Sequence, residues 1–241
     1  MALIVENLSF SYPDKQVLKQ LSFQLKKGEI GTLIGASGSG KSTLFKLLTG
    51  LLVPQEGNLF IQGKAPPEGC QQIAYMMQQD LLLPWRTALG NLLLAAELGS
   101  QTQSSQLLKD EAMDLLEEIG LKGCENLYPD ELSGGMRQRI SLARALMQKR
   151  PLLLLDEPFG ALDVGLREQM YILLRELQQK RGTTILMVTH DFRDALSLSD
   201  KIFLLMKGQI RQEWSISHLQ RQDGAKMGLL QQELYACMSS C

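Results

Sequence analysis

The sequence predicts an α/β fold in which a parallel sheet is covered by helices and interrupted by a helical insert. Three observations carry that expectation. Beyond Pro151, strand-sized apolar runs alternate with helix-period segments, as in a parallel sheet joined by crossover helices. The runs Leu152–Leu155, Thr184–Val188 and Ile202–Met206 are apolar but for Thr184, which suits strands covered on both faces. From about Thr87 to Met147 the pattern is helical, so this stretch is set into the sheet rather than being part of it.

The elements follow in chain order. Leu3-Ile4-Val5 and Leu21–Leu25 read as strands separated by the turn residues Tyr12-Pro13-Asp14. Glu29–Ile34 is a third strand and runs straight into a glycine-rich loop. Lys41–Leu48 has helical spacing and stops near Gly50. Leu59–Ile61 and Ile73–Met76 are further strands. In the insert, Leu89–Leu98 is one helix. Leu107, Leu108, Ala112, Leu115, Leu116 and Ile119 mark a second, closed by Gly120, and Gly134–Met147 forms a third. Helices over Leu166–Lys180 and Phe192–Leu198 separate the later strands, and Gln209–Trp214 adds an edge strand. The chain leaves the sheet after Gln78 and rejoins it before Pro151. This predicts one domain, 1–241, built from an α/β core (1–86 and 149–214), a helical part (87–148) and a polar, partly helical tail (215–241) whose role stays open.

Composition narrows the function classes. Lys and Arg total 25 against 26 for Asp and Glu, a formal net charge of −1. A strongly basic footprint for nucleic acid is absent, so no nucleic-acid partner is expected. No run approaches the roughly 18–20 apolar residues that cross a bilayer, and the N-terminal residues do not resemble a secretory signal. A cytosolic location follows, with any membrane role requiring a partner. Cys70, Cys124, Cys237 and Cys241 form no CxxC pair and read as free thiols, although Cys237 and Cys241 could share a helix face.

Gly35-Ala36-Ser37-Gly38-Ser39-Gly40-Lys41-Ser42-Thr43 matches G-x-x-x-x-G-K-[ST] between a strand and a helix, the context the motif requires. Glycines let backbone N–H groups turn inward around phosphate oxygens, and the helix start adds partial positive charge. Lys41 can reach the β- and γ-phosphates, and the Ser42 hydroxyl can ligate Mg²⁺. A loop that merely turned a corner would not need Lys and Ser in that register. Asp156 and Glu157 stand at the carboxyl end of an apolar strand, where open parallel sheets bind ligands. Asp156 suits the metal. Glu157, one residue on, suits a general base acting on water. Ser133-Gly134-Gly135 opens another helix, with Ser133 as its N-cap. This is a second place for an anion in a chain that already has one. It suggests contact with the γ-phosphate held by another subunit, although an ordinary capped helix would look similar.

Together these segments resemble the ATP-binding subunits of ABC transporters. Gly35–Thr43 is similar to the Walker A segment, Leu132–Met136 to the signature, and Leu155-Asp156-Glu157-Pro158 to Walker B. Gln78 resembles the Q-loop glutamine, Asp163 in Ala161-Leu162-Asp163 the D-loop, His190 the switch histidine, and Tyr12 the aromatic that stacks on adenine. The resemblance spans about Leu3 to Trp214. It implies a P-loop NTPase (RecA-like) core with an N-terminal antiparallel β subdomain and an inserted helical subdomain. It also implies ATP and Mg²⁺ as ligands, the metal held by Ser42, Gln78 and Asp156. Glu157, His190, Lys41 and Gln78 would carry catalysis, and Ser133, Gly134, Gly135 and Asp163 would meet nucleotide across a pair of subunits. The expected partners are a second copy, an integral-membrane permease and a solute-binding protein, at the cytoplasmic face of the membrane.

Two features refine the resemblance. Met136 stands where many members carry Gln, and a thioether cannot replace the amide's hydrogen bonds. The expectation is a weakened peripheral contact with the ATP sandwich intact. Met136-Arg137-Gln138-Arg139 together with Leu83-Pro84-Trp85-Arg86-Thr87 resembles an import group for nitrate, sulfonates such as taurine, and thiamine-precursor pyrimidines. Trp85 would then lie in the groove that receives the permease. The alternative is a soluble ABC ATPase acting on ribosomes or in DNA repair. Those members carry two ATPase units or a long coiled coil, and this chain has one unit and a short insert.

Overall fold

The computed structural model describes residues 1–98, 105–217, 220–221 and 223–239. The chain begins with an antiparallel hairpin, β1 (Leu3–Tyr12) and β2 (Lys15–Leu25), followed by β3 (Ile30–Ile34) and α1 (Lys41–Leu48). Then come β4 (Glu56–Ile61) and β5 (Ile73–Met76). The helices α2 (Ala88–Leu98), α3 (Ser105–Glu118) and α4 (Gly134–Leu146) follow. The chain continues through β6 (Leu152–Asp156), α5 (Val164–Arg181), β7 (Thr184–Thr189), α6 (Phe192–Leu198), β8 (Lys201–Met206) and β9 (Gln209–Ser215). The last element is α7 (Gly224–Ser239).

Two sheets result. One is antiparallel, in the order β2-β1-β4. The other runs β5-β6-β7-β3-β8-β9, parallel except for the edge strand β9. The apolar runs predicted to be covered on both faces divide their side chains between two cores. Leu153 and Leu155 of β6, with Ile185 and Met187 of β7, pack against α2–α5. Leu152, Leu154, Leu186 and Val188 point the other way, into the layer shared with α1 and the antiparallel sheet. That division follows from the two-residue period of a strand. A third cluster gathers Ile34, Ala195, Leu204, Trp214 and Leu234 beneath α6 and α7.

β1 and β2 are longer than the apolar triplet and quintet that announce them. Their register shifts at bulges, and Asn7 and Gln20 take positive φ. A bulge breaks strict alternation, so the pattern is lost while the pairing continues.

The sheets meet at the β8–β9 turn. Gly208 has φ +80°, and a Cβ there would lie 2.3 Å from the Val17 carbonyl oxygen of β2. Its own carbonyl accepts from Lys19 N at 2.9 Å. Only glycine fits such a contact.

The tail is helical from Gly224 and packs Leu234 into the third cluster. Just before it, Arg221 donates to the carbonyls of Leu196, Ser197 and Ser199 and to Asp200, closing the C-terminal end of α6. Burial lowers the Arg221 pKa to about 10. Cys237 Sγ donates to Gln212 Oε1 at 3.4 Å. Cys241 lies outside the described residues. No helix among those described is long and apolar enough to cross a membrane.

Candidate nucleotide site

The loop after β3 wraps the start of α1. Gly40 takes φ +113° and supplies no side-chain cap, so the first-turn amides of α1 are open. Gly35 is packed from below, where a Cβ would sit 2.3 Å from the Leu205 carbonyl oxygen. Gly38 has φ +76° with open space around it. Ser37 and Ser42 are exposed, and Thr43 is buried. Lys41 is only 9% exposed, and its Nζ donates to the carbonyls of Gly35 at 2.7 Å and Ala36 at 3.0 Å. Burial lowers its pKa, and Glu157 and Asp156 act in the opposite direction. A cavity of about 390 Å³ lies beside this loop. Ala36–Ser39 form one wall, Lys15, Gln16, Val17 and Lys19 another, and Leu205–Gly208 the third. Ser39 Oγ is buried with no hydrogen-bond partner. Open amides, lysines on the walls and an orphaned hydroxyl fit a phosphate chain.

The carboxyl ends of β6 and β7 gather the acidic residues. Asp156 is 8% exposed, and Tyr75 OH donates to its Oδ2 at 3.3 Å. Burial raises the Asp156 pKa, and the bond from Tyr75 offsets part of that rise. A carboxylate, a hydroxyl and an amide oxygen, as Asp156, Ser42 and Gln78 carry, are the hard-oxygen donors that suit Mg²⁺. Glu157 adopts φ +49°. Its N–H donates to Val188 O at 2.9 Å, and its own carbonyl accepts from Gln138 Nε2 at 3.1 Å. Such a conformation costs about 1–3 kcal/mol in a non-glycine residue and persists only where neighbours over-determine it. The turn aims the Glu157 side chain between two others. Gln78 Nε2 donates to Oε2 at 3.4 Å, and His190 Nδ1 lies 3.2 Å from Oε1. Gln78, Glu157 and His190, drawn from three distant segments, therefore form one cluster.

Other sequence-derived residues stand apart from it. Ser133 caps α4 by accepting from Met136 N at 3.3 Å. Ser133 and Gly134 are exposed, and no hydrogen bond or ion pair among the described residues joins 133–135 to 35–43. Gly135 is held close to the next loop, where a Cβ would lie 3.4 Å from Ala161 O. The Met136 side chain packs on the apolar core rather than reaching outward as an amide would. Asp163 is exposed and caps α5, accepting from Leu166 N at 3.0 Å. Tyr12 is 37% exposed, stands edge-on to Phe10, and does not line the cavity.

Three contributors escaped the sequence reading. Tyr75 reaches Asp156. Gln138 bridges the Glu157 carbonyl and the Ala161 amide, the latter at 3.0 Å. Asn91, fully buried, bonds the backbone of Leu83, Arg86 and Thr87 and shapes the loop that leaves Trp85 71% exposed. A polar residue on the inner face of an apolar helix was the available signal for Gln138 and Asn91.

Comparison with known proteins agrees with this geometry. The ABC transporter family model matches residues 18–160. The formylaminopyrimidine import ATP-binding protein ThiZ of Halalkalibacterium halodurans is 43% identical over 84% of this chain and 78% of its own length. The aliphatic sulfonates import ATP-binding protein SsuB 1 of Rhodococcus jostii is 39% identical over 90% of this chain and 84% of its own. Among solved structures, an ATP binding subunit of an ABC transporter superposes with TM-score 0.84 at 30% identity, covering 99% of this chain and 100% of that one. The dimeric post-hydrolysis state of an ATP-binding cassette bound to ADP and Pi gives TM-score 0.80 at 29% identity, over 89% of this chain and 99% of that one. The chain belongs to the ABC transporter family as an ATP-binding cassette.

Proposed function

We propose that this chain hydrolyses ATP to power an importer of a small solute, working as a pair beneath an integral-membrane permease at the cytoplasmic face of the membrane. The observation that carries this reading is the division of one chain into two unlike anion-facing helix starts. One lies beside the Glu157–His190 cluster, and the other is exposed with nothing of its own to hold. Two copies facing each other satisfy both. The resemblance to import ATP-binding proteins supports a nitrate, sulfonate or thiamine-precursor type of cargo, delivered by a solute-binding protein.

In this scheme adenine stacks on Tyr12. The phosphates lie on the amides of Gly35 to Thr43, including Ser37, Gly38, Ser39 and Gly40, and Lys41 exchanges its loop carbonyls for phosphate oxygens. Ser42, Gln78 and Asp156 would hold Mg²⁺, which when bound neutralises phosphate charge. Glu157 takes a proton from water as the water oxygen bonds to the γ-phosphorus and the bond to the β-phosphate oxygen breaks, releasing ADP and phosphate. Lys41 and His190 stabilise the charge on the γ-oxygens. Ser133, Gly134, Gly135 and Asp163 of the second copy close the site. Exposed Trp85, on the loop shaped by Asn91, suits a docking surface for the permease.

The test is capture of tagged Glu157→Gln protein with ATP from gently solubilised native cells, read by mass spectrometry. A multi-span permease in the captured material is the expected outcome. Recovery of ribosomes or repair proteins without a permease would overturn the importer reading in favour of a soluble ATPase.

A further inference from the structure

The segment around His190 rests on a polar cluster drawn from α5, α6 and the turn between β7 and α6. Thr189 Oγ1 donates to Asp194 Oδ2 at 2.7 Å and accepts from Asp191 N at 3.0 Å, so it fastens both sides of the turn that carries His190. Tyr171 OH donates to Asp194 Oδ1 at 2.5 Å. Arg167 Nη1 lies 2.6 Å from Asp191 Oδ2 and 3.5 Å from Asp194 Oδ1, and its Nη2 donates to the Phe159 carbonyl at 3.3 Å. Arg193 covers the outer side of Asp191 at 2.7 Å. The Asp194 side chain is 5% exposed, whereas the His190 side chain is 69% exposed, its Nδ1 3.2 Å from Glu157 Oε1.

The contrast has a physical consequence. An exposed imidazole with one polar neighbour gains little orientation from its own packing. Its direction is set by the backbone turn beneath it. That turn is fixed by buried Asp194 and by half-buried Arg167 and Asp191, whose charges have few acceptable arrangements because leaving one unpaired is costly. Arg167 and Tyr171 belong to α5, whose N-cap is Asp163, and Arg167 N donates to Asp163 O at 2.9 Å. The cluster therefore ties the His190 turn to the helix that starts at Asp163, on the surface assigned to the second copy.

We propose that Arg167, Tyr171 and Asp194 are positioning residues for His190, holding its turn in register with Glu157 and with the start of α5. This rests on the reading of His190 as a turnover residue.

The test is a double-mutant cycle in the full chain. Tyr171→Phe removes one hydrogen bond with little change of shape, and Arg167→Lys and Asp194→Asn extend the series. Each is made alone and with His190→Ala, and ATP turnover and nucleotide affinity are measured. Tyr171→Phe alone is expected to lower kcat about 3- to 10-fold, the scale of one hydrogen bond, with ATP affinity within about twofold. In the His190→Ala background it should lower kcat no further, since the positioned group is gone. Arg167→Lys should retain more activity than Arg167→Ala. An equal loss in both backgrounds would show a merely structural role and overturn the proposal. Unchanged kcat in Tyr171→Phe, with His190→Ala impaired, would overturn it too and leave the role of His190 standing. Full turnover by His190→Ala would remove that role and the proposal with it.

Discussion

Two helices carry glycines at their N-terminal ends and lack an acidic first turn, yet those ends differ in burial and capping. α1 starts at an uncapped, left-handed Gly40, next to a buried Lys41 and an orphaned Ser39 hydroxyl. α4 starts at Ser133, whose hydroxyl already accepts from Met136 N, on an exposed surface. In the proposed scheme the first would serve as a site by itself, with positive charge and open donors collected inside one chain. In that scheme the second offers only a few amides and would act when another surface brings the anion. Burial and capping, more than the shared presence of glycine, distinguish the two ends.

The sharpest way to break that comparison is to damage each end separately. Lys41→Ala should weaken ATP binding about 10- to 100-fold, the scale of lost charge-assisted hydrogen bonds, in dilute protein where no pairs form. Gly134→Asp should leave that binding within about twofold yet lower turnover more than about tenfold at concentrations that favour pairing, because its carboxylate would stand on the exposed helix start where a second copy would bring phosphate. Nucleotide titration and phosphate release measure the two. Equal binding loss in both variants would abolish the distinction.

Asp156→Asn gives a smaller effect with a sign of its own. Burial holds the Asp156 pKa above its ordinary value, so the folded protein binds that proton more tightly than the unfolded chain. The buried charge lowers stability at neutral pH, and this cost is relieved as pH falls through the folded pKa. Asn removes the charge and can still accept from Tyr75. Its melting midpoint at neutral pH should rise by about 2–4 °C for each kcal/mol relieved, while turnover falls. A lower midpoint across the neutral range would show that the carboxylate contributes to folding after all.

Met136→Gln should act least. The thioether packs on the core while its amide, not its side chain, serves the Ser133 cap. ATP-driven pairing, followed by light scattering, should change by less than about threefold, the scale of a surface substitution. Pairing that appears only with Gln would make the side chain part of the half-site.

Much of this was legible because the informative residues are contiguous. Lys41–Leu48, Ile73–Met76 and Phe192–Leu198 are the same elements in sequence pattern and in structure. The fold class follows from apolar runs whose side chains do divide between two cores. β1 and β2 were only partly legible because bulges at Asn7 and Gln20 suspend the alternation. The motif residues announced themselves, but Tyr75, Gln138 and Asn91 did not. Tyr75 and Gln138 act on groups far away in the chain, and Asn91 acts on the backbone of a loop without a periodic signal. The tail was read as polar and partly helical. The Arg221 anchor on α6 depends on a meeting of elements that no local pattern encodes.

The contact at Gly208 bears on how such a cassette can be recombined. Val17 and Lys19 meet this glycine across the gap between the sheets, and all three line the cavity beside the phosphate loop. Strands β1, β2 and β4 look like a detachable unit in topology, yet one wall of that cavity belongs to them. A chimera that set this sheet against a 205–208 turn with a side chain at position 208 would press a Cβ to 2.3 Å from the Val17 carbonyl oxygen. Crossovers that keep residues 15–19 and 205–208 from the same parent should preserve the shape of the cavity, whichever parent supplies the helical insert.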